Sequence, residues 1–219
     1  MLPNLDEEIR ITSELSTDAT PRFIAGCDEA GRGSYAGPLV AAAVILPLDA
    51  VLPDITDSKK INKKKHVAYS KQIMDAALAI GIGIADSSYV DRFGVGAANK
   101  YAIEEAIKDL PLTPDHVLID GADQQIVSIS MPQSQIVQGD SKSLSIAAAS
   151  IIAKTTHDLI MKEYHDVYPE YGWDTNTGYG TQAHIEAIKN FGVCEHHRKS
   201  FKPIKEFIQK QQLTGGQGQ

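Results

Sequence analysis

An α/β fold with a mixed sheet is predicted by three observations. Two early apolar runs, Phe23 to Cys27 and Leu39 to Leu46, flank a turn supplied with Gly31, Gly33 and Gly37, the pattern of an antiparallel strand pair. Later apolar runs alternate with segments of helical spacing, which is the α/β pattern. The segment Leu144 to Tyr164 is alanine-rich and apolar nearly all round from Ile146 to Ala153, so it is expected to be a buried helix.

The elements follow in order. Residues 1–20 are polar, with Ser13, Thr17, Asp18 and Thr20, and are expected to be a flexible arm or a short helix. Phe23 to Cys27 and Leu39 to Leu46 form the first strand pair. Asn62 to Ile80 has helical spacing at Val67, Ile73, Ala76, Ala77 and Ile80, and Gly81 to Ala85 reads as a third strand. Ala97 to Leu110 reads as a helix ended by Pro111. Val117 to Asp120 is a short buried strand, and Ile126 to Ile129 and Gln135 to Val137 are strand candidates. After the buried helix, Gln182 to Asn190 and Ile204 to Gln211 are expected to be helical. The tail 211–219, glycine- and glutamine-rich, lacks the apolar surface needed to pack and is expected to be disordered. A single domain over 21–210, its C-terminal helices included, accounts for the rest.

Composition narrows the function. Apolar residues make up 42% of the 219 and charged residues 22%, as in an ordinary globular protein. No apolar run has membrane-spanning length. The start, Met1 to Glu8, lacks the basic end and apolar core of a secretion signal. Two distant cysteines, Cys27 and Cys194, give neither a zinc spacing nor a disulfide framework. A cytoplasmic location is expected. The net charge of −7 argues mildly against a nucleic-acid partner, although a site can be basic on an acidic protein.

The chemistry concentrates in carboxylates. Asp28 and Glu29 leave the first strand side by side, and Asp120 ends another. Ligands of open α/β sheets bind outside strand carboxyl ends, so adjacent parallel strands would bring these acids together. Asp140, in Gly139-Asp140-Ser141-Lys142-Ser143-Leu144, precedes the buried helix, where Ser141 or Ser143 could be the N-cap. Asp28 and Glu29 also have an ordinary reading as a strand end before a solvated turn, and Asp140 as a cap or turn residue. Asp123 and Asp158 are weaker candidates. Like charges this close repel unless a cation neutralises them. Carboxylates without histidine or cysteine partners favour Mg²⁺ or Mn²⁺ over zinc. Two such ions, about 3.5–4 Å apart, form the clamp used for in-line phosphoryl displacement in nucleases.

Other motifs fit a polyanionic substrate. Gly31 to Gly37 fails as a dinucleotide loop, because two acids precede it and a strand follows. It can still bring backbone amides against a ligand. The run from Lys59 to Lys65 holds five of the 21 basic residues and reads either as a solvated helix start or as a phosphate contact. His196-His197-Arg198-Lys199 is a second basic cluster. Tyr179, between Gly178 and Gly180, is either a turn anchor or a stacking platform.

The combination resembles the bacterial ribonuclease HII family. It rests on Gly26-x-Asp28-Glu29-Ala30-Gly31-Arg32-Gly33, Gly37-Pro38-Leu39-Val40, Asp57-Ser58-Lys59-Lys60, Asp120-Gly121, the stretch Gly139 to Lys154, Gly178-Tyr179-Gly180-Thr181-x-x-His184 and His197-Arg198-x-Ser200-Phe201. The match runs from about Phe23 to Phe201 in the family's order. The resemblance implies a ribonuclease H-like mixed sheet flanked by helices, with a helical C-terminal part. It implies an endoribonuclease for the RNA strand of RNA–DNA hybrids that also cuts 5′ to single ribonucleotides in duplex DNA, leaving 3′-hydroxyl and 5′-phosphate ends. By motif match the active-site acids and metal ligands would be Asp28, Glu29, Asp120 and Asp140, with Mg²⁺ or Mn²⁺. Gly31, Arg32 and Gly33 would read the 2′-hydroxyl, Tyr179 would stack on the following deoxyribose, and Lys59 would touch a phosphate. We also expect Arg198 to contact phosphate, and the protein to be a monomer.

Two departures from the family pattern stand out: the stretch Phe93 to Asn99 lacks the usual Asn-Ile pair, and Ser141 replaces a more usual alanine. The residues before the first strand are too few for the substrate-binding domain of the sister ribonuclease HIII type. The tail lacks the aromatic or Leu-Phe ending of sliding-clamp-binding peptides. The alternatives are another metal-dependent phosphohydrolase or strand-transfer enzyme on this fold, and a catalytically silent hybrid-binding module. The intact acid set argues against the silent module.

Overall fold

The first strand is longer than its apolar run. In the computed structural model, which describes residues 2–15, 22–53, 55, 63–121 and 127–215, β1 spans Ile24–Ala30 and so contains Asp28 and Glu29. It pairs antiparallel with β2 (Leu39–Ile45), as the glycine-rich turn predicts, in the register Asp28↔Ala42 and Glu29↔Ala41. Small alanines thus stand opposite both acids. β3 (Ala79–Ala85), β4 (His116–Asp120) and β5 (Gln133–Ile136) complete a five-stranded sheet of order β3-β2-β1-β4-β5. β4 is parallel to β1, with Cys27↔Ile119, and β5 is parallel to β4, with Asp120↔Ile136. The mixed sheet is the one the sequence calls for.

Among the described residues the chain groups into two compact units: Met1–Ala30, Val40–Ile84 and Asn99–Thr156 in the first, Gly31–Leu39, Ala85–Ala98 and His157–Gln219 in the second. Over Asp6–Leu15 the short helix is realised as α1, with Glu8 and Ile11 buried. In the first unit Ile11 packs with Ile24, Leu118 and Ile146. The larger core joins Ala42 and Val44 of β2 to Ile73 of α2 (Lys63–Ala76) and to Ala147 through Ala153 of α5 (Leu144–Val167). Every residue of β2 is buried, which is why its sequence is a continuous apolar run and not an alternating one.

Several elements differ from expectation. α2 ends at Ala76, not Ile80, because Ala79 and Ile80 already belong to β3, where burial alternates with period two. A short helix, α3 (Ser87–Phe93), precedes α4 (Val95–Lys108). Its start is set by Asp86, whose carboxylate accepts from the Tyr89 amide at 2.7 Å, and its end by Gly94 at φ 83°. Of the strand candidate Ile126 to Ile129, residues 127–129 are described and form no strand. The Gln133 amide takes up both backbone groups of Val127 instead, at 3.1 and 2.9 Å.

In the second unit Ala36, Met161, Tyr171, Trp173, Ile188 and Ile204 form the core. They gather the loop after β1, the end of α5, the short α6 (Trp173–Asn176), α7 (Gln182–Phe191) and α8 (Lys202–Gly215). α7 falls where the sequence places a helix, but α8 runs on to Gly215, so residues 211–215, expected to belong to a disordered tail, are helical instead.

Candidate active site

The acids are held by the first unit. The pleat of β1 sends Asp28 and Glu29 to opposite faces of the sheet. Gly26 shares the Asp28 face, and a Cβ on it would collide with the backbone of Ser145 and Ile146. That glycine lets α5 lie close against β1. One turn and a half further along α5, the Ser150 hydroxyl hydrogen-bonds the Asp28 carboxylate. Ser150 is a polar residue inside an alanine-rich helix face, a signal that sequence reading passed over.

Asp28 is only 6% exposed. Its carboxyl is pushed well above the usual carboxylate range, first by burial, then by the charges of Glu29 and Asp120. The Ser150 hydroxyl and the Glu29 amide, which donates to Asp28 Oδ1 at 2.8 Å, offset part of this. The register Cys27↔Ile119, carried one residue on, accounts for the influence of Asp120. Asp120 Oδ1 accepts the Gly139 amide at 2.6 Å. Gly139 opens the single helical turn Gly139–Ser141, entered through Gln138 at φ 57°, and Asp140 is buried in it. Asp120 therefore fixes the turn that carries Asp140. The capping role falls to Ser143, whose Oγ accepts the Ile146 amide at 3.2 Å, so Asp140 is not the helix cap.

Among the described residues no three His, Cys, Asp or Glu side chains stand close enough to ligate one ion as they are. The donors nonetheless suit a hard divalent cation: they are carboxylate oxygens, and the charge of Asp28 is opposed by both neighbours. Asp123 lies outside the described residues, and Asp158 faces the buried His157 ring at 3.5 Å.

The glycine loop belongs to the second unit. Gly31 has φ 80°, and a Cβ there would meet the His157 ring at 2.5 Å. Gly33 leaves its Cβ position 3.7 Å from the Tyr179 ring. The Tyr179 side chain is 38% exposed, while its backbone is tied down on both sides. Its amide donates to Asn176 O at 3.0 Å, and its carbonyl accepts from the Thr181 amide at 2.8 Å. That carbonyl also accepts from His184 Nδ1 at 2.9 Å.

The His184 tautomer is dictated by its partners. Trp173 Nε1 donates to His184 Nε2 at 3.0 Å, and His197 Nε2 lies 3.2 Å from the same atom. His197 Nδ1 accepts the Cys194 amide at 3.0 Å, so the His197 proton sits on Nε2. Both rings are neutral. Burial holds His184 below its ordinary value and His197 down to about 3, the latter aided by repulsion from His184.

Arg198 corrects an expectation. Its side chain is fully buried and has no face for a phosphate. Its guanidinium donates to Gly37 O at 3.0 Å, Arg32 O at 3.0 Å and Pro38 O at 2.8 Å. The ring of Phe201 lies beneath it, 5.2 Å away. Burial lowers its pKa to about 10, still charged at neutral pH. Arg198 staples the glycine loop. Lys59 and Lys60 lie outside the described residues.

Comparison with known proteins agrees with this architecture. The sequence profile described as Ribonuclease HII matches residues 25–204. A Ribonuclease HII of Enterococcus faecalis is 48% identical over 187 residues, 85% of this chain and 72% of that one. Among solved structures, the ribonuclease H2 of Pyrococcus horikoshii superposes with a TM-score of 0.74 at 20% identity, covering 86% of this chain and 98% of that one. A Bst-RNase HIII in complex with Mn²⁺ superposes with a TM-score of 0.63 at 19% identity, covering 93% and 80%. The ribonuclease H-like sheet, and a family match spanning nearly all of it, lead to one conclusion: this chain belongs to the ribonuclease HII family and is a ribonuclease H enzyme.

Proposed function

We propose that the protein hydrolyses the RNA strand of RNA–DNA hybrids and cuts 5′ to single ribonucleotides embedded in duplex DNA, leaving 3′-hydroxyl and 5′-phosphate ends. The observation that carries this reading is the buried Asp28, whose charge is opposed by burial, Glu29 and Asp120. An acid set kept under mutual repulsion has a use when cations bind it.

Asp28, Glu29, Asp120 and Asp140 are assigned as the ligands of Mg²⁺ or Mn²⁺. Bound ions would supply a polarised attacking water and a stabilised leaving oxygen. The hydrogen bonds of Ser150 and of the Glu29 amide orient the Asp28 carboxylate. Asp120 holds the Asp140 turn through Gly139. The backbone of Gly31, Arg32 and Gly33 is assigned to the 2′-hydroxyl, the group that separates RNA from DNA at a site. Tyr179 is assigned to the sugar that follows, supported by its partly exposed ring beside Gly33. Lys59 is assigned to a phosphate. The enzyme is assigned to the cytoplasm and acts as a monomer.

Asp120→Asn tests the acid assignment. The variant is expected to fold and to lose cleavage by roughly 100-fold or more, a barrier increase of about 2.7 kcal/mol. Near-normal turnover of folded Asp120→Asn at saturating Mg²⁺ contradicts it.

A further inference from the structure

Glu8 is a buried carboxylate to which the reading above gives no task. It lies on α1 and is 2% exposed. Its Oε1 accepts from the Ser143 hydroxyl at 2.6 Å, the Ser145 hydroxyl at 2.5 Å and the Ser145 amide at 3.0 Å. Its Oε2 is buried and has no hydrogen-bond partner among the described residues. These donors and the positive end of α5 all face its carboxyl group.

The chain just before Glu8 is tied to the same place. The Asn4 amide donates to Lys142 O at 3.2 Å, and the Leu144 amide donates to Asn4 O at 2.7 Å. Asn4 and Ser143 thereby form a short parallel bridge. Residues 4–8 clasp residues 142–145. The clasped segment is continuous with the Asp140 turn, because the amides of Lys142 and Ser143 both return to Gly139 O, at 2.9 and 2.8 Å. On its other side that turn is held by Asp120 through the Gly139 amide at 2.6 Å. The turn carrying Asp140 is therefore pinned from two directions, by Asp120 and by the N-terminal segment.

We infer that Glu8 is a positioning residue for Asp140. It locks the first turn of α5 to α1, and through that turn it fixes where the Asp140 carboxylate is delivered. The inference rests on the assignment of Asp140 to the cation site. Glu8 touches neither substrate nor ion. It acts through Ser143, Ser145 and the backbone between them and Asp140.

The test is Mn²⁺ binding to the full chain, measured by titration calorimetry without substrate. Glu8→Ala, Glu8→Gln, Asp140→Asn and each Glu8 variant combined with Asp140→Asn are compared with the unmodified protein, their folding checked by circular dichroism. Glu8→Ala is expected to weaken Mn²⁺ binding at least five-fold. Glu8→Gln, whose carbonyl oxygen can accept from the same hydroxyls, is expected to fall between it and the unmodified chain. It carries the test alone if Glu8→Ala does not fold. In the Asp140→Asn background the Glu8 penalty is expected to vanish. Unchanged Mn²⁺ affinity in the folded Glu8 variants overturns the inference. So does a Glu8 penalty that is equally large with Asn at position 140, which would make Glu8 a general stabiliser of the fold. Normal Mn²⁺ affinity in Asp140→Asn by itself removes Asp140 from the ion site, a distinct result that overturns the site assignment and the inference with it.

Discussion

The charge on Asp28 works against the fold. Because its pKa is raised in the folded state, the native protein favours the protonated acid, and the associated stability is lost as pH rises through the folded value. At neutral pH Asp28→Asn is therefore expected to melt higher than the unmodified chain, by roughly 2–4 °C for each kcal/mol of strain relieved. The advantage should shrink as pH falls through the raised folded value and be gone below the ordinary carboxylate value of 3.8. Thermal melts of the two proteins across that range check it, and a variant that melts lower at pH 7 and below contradicts it. Tyr179 gives a second expectation at this scale. Its ring is partly exposed while its backbone is fixed, so truncation removes a contact surface without releasing the turn. Stacking of such a ring is worth roughly 1–3 kcal/mol. Tyr179→Ala is expected to lose about 10-fold or more in rate on a single embedded ribonucleotide, and less on a continuous RNA strand. Equal losses on both substrates would assign Tyr179 to the fold or to general binding.

At the scale of elements, the glycine loop is shaped by distant sequence. Arg198 reaches back to three of its carbonyls, and the pair His184–His197 holds the Tyr179 turn. Arg198→Met leaves those carbonyls without their donor and is expected to destabilise the chain by about 2–4 kcal/mol. Arg198→Lys, with one point charge in place of a planar fork, should recover only part of this. Denaturant unfolding of both variants measures the loss, and unchanged stability in Arg198→Met would remove the staple. The histidines give the loop a pH dependence of opposite sign to Asp28. His197 is held down to about 3, so its contribution is full above the ordinary histidine value of 6.5 and is lost as pH falls towards 3. Acid should therefore erode stability across that window, and His197→Phe should flatten the erosion. Both expectations are read from stability curves, independently of activity.

Across the whole molecule, what was legible in the sequence followed from periodicity and residue type. The β1–β2 pair showed as two apolar runs around glycines, and Ile146 to Ala153 of α5 as a helical stretch without a polar face, because burial on all sides leaves no alternation to read. The four acids stood out by type, and the meeting of Asp28 and Asp120 was legible from strands that end in carboxylates, but the hold on Asp140 was not. That Asp28 adjoins Asp120 follows from a parallel register, and that Asp140 depends on Asp120 follows from one backbone amide. Arg198 read as a surface cation because a basic cluster carries no sign of burial. Helix α3 escaped because seven residues with two buried positions give no period, although Asp86 and Gly94 mark its ends. Residues 6–15 were as readable as an arm as a helix, and Glu8 gave no hint that it is buried against α5. The central claim is that this chain cuts next to a ribonucleotide. One measurement tests it most directly: a duplex DNA with one embedded ribonucleotide, labelled on the ribonucleotide-bearing strand, is incubated with the purified chain with and without Mn²⁺, and the products are mapped. A single cut 5′ to the ribonucleotide, only with the ion present and absent from an all-DNA duplex, is the expected result. Equal cutting of the all-DNA duplex, or an intact ribonucleotide strand when Mn²⁺ is present, would contradict the account.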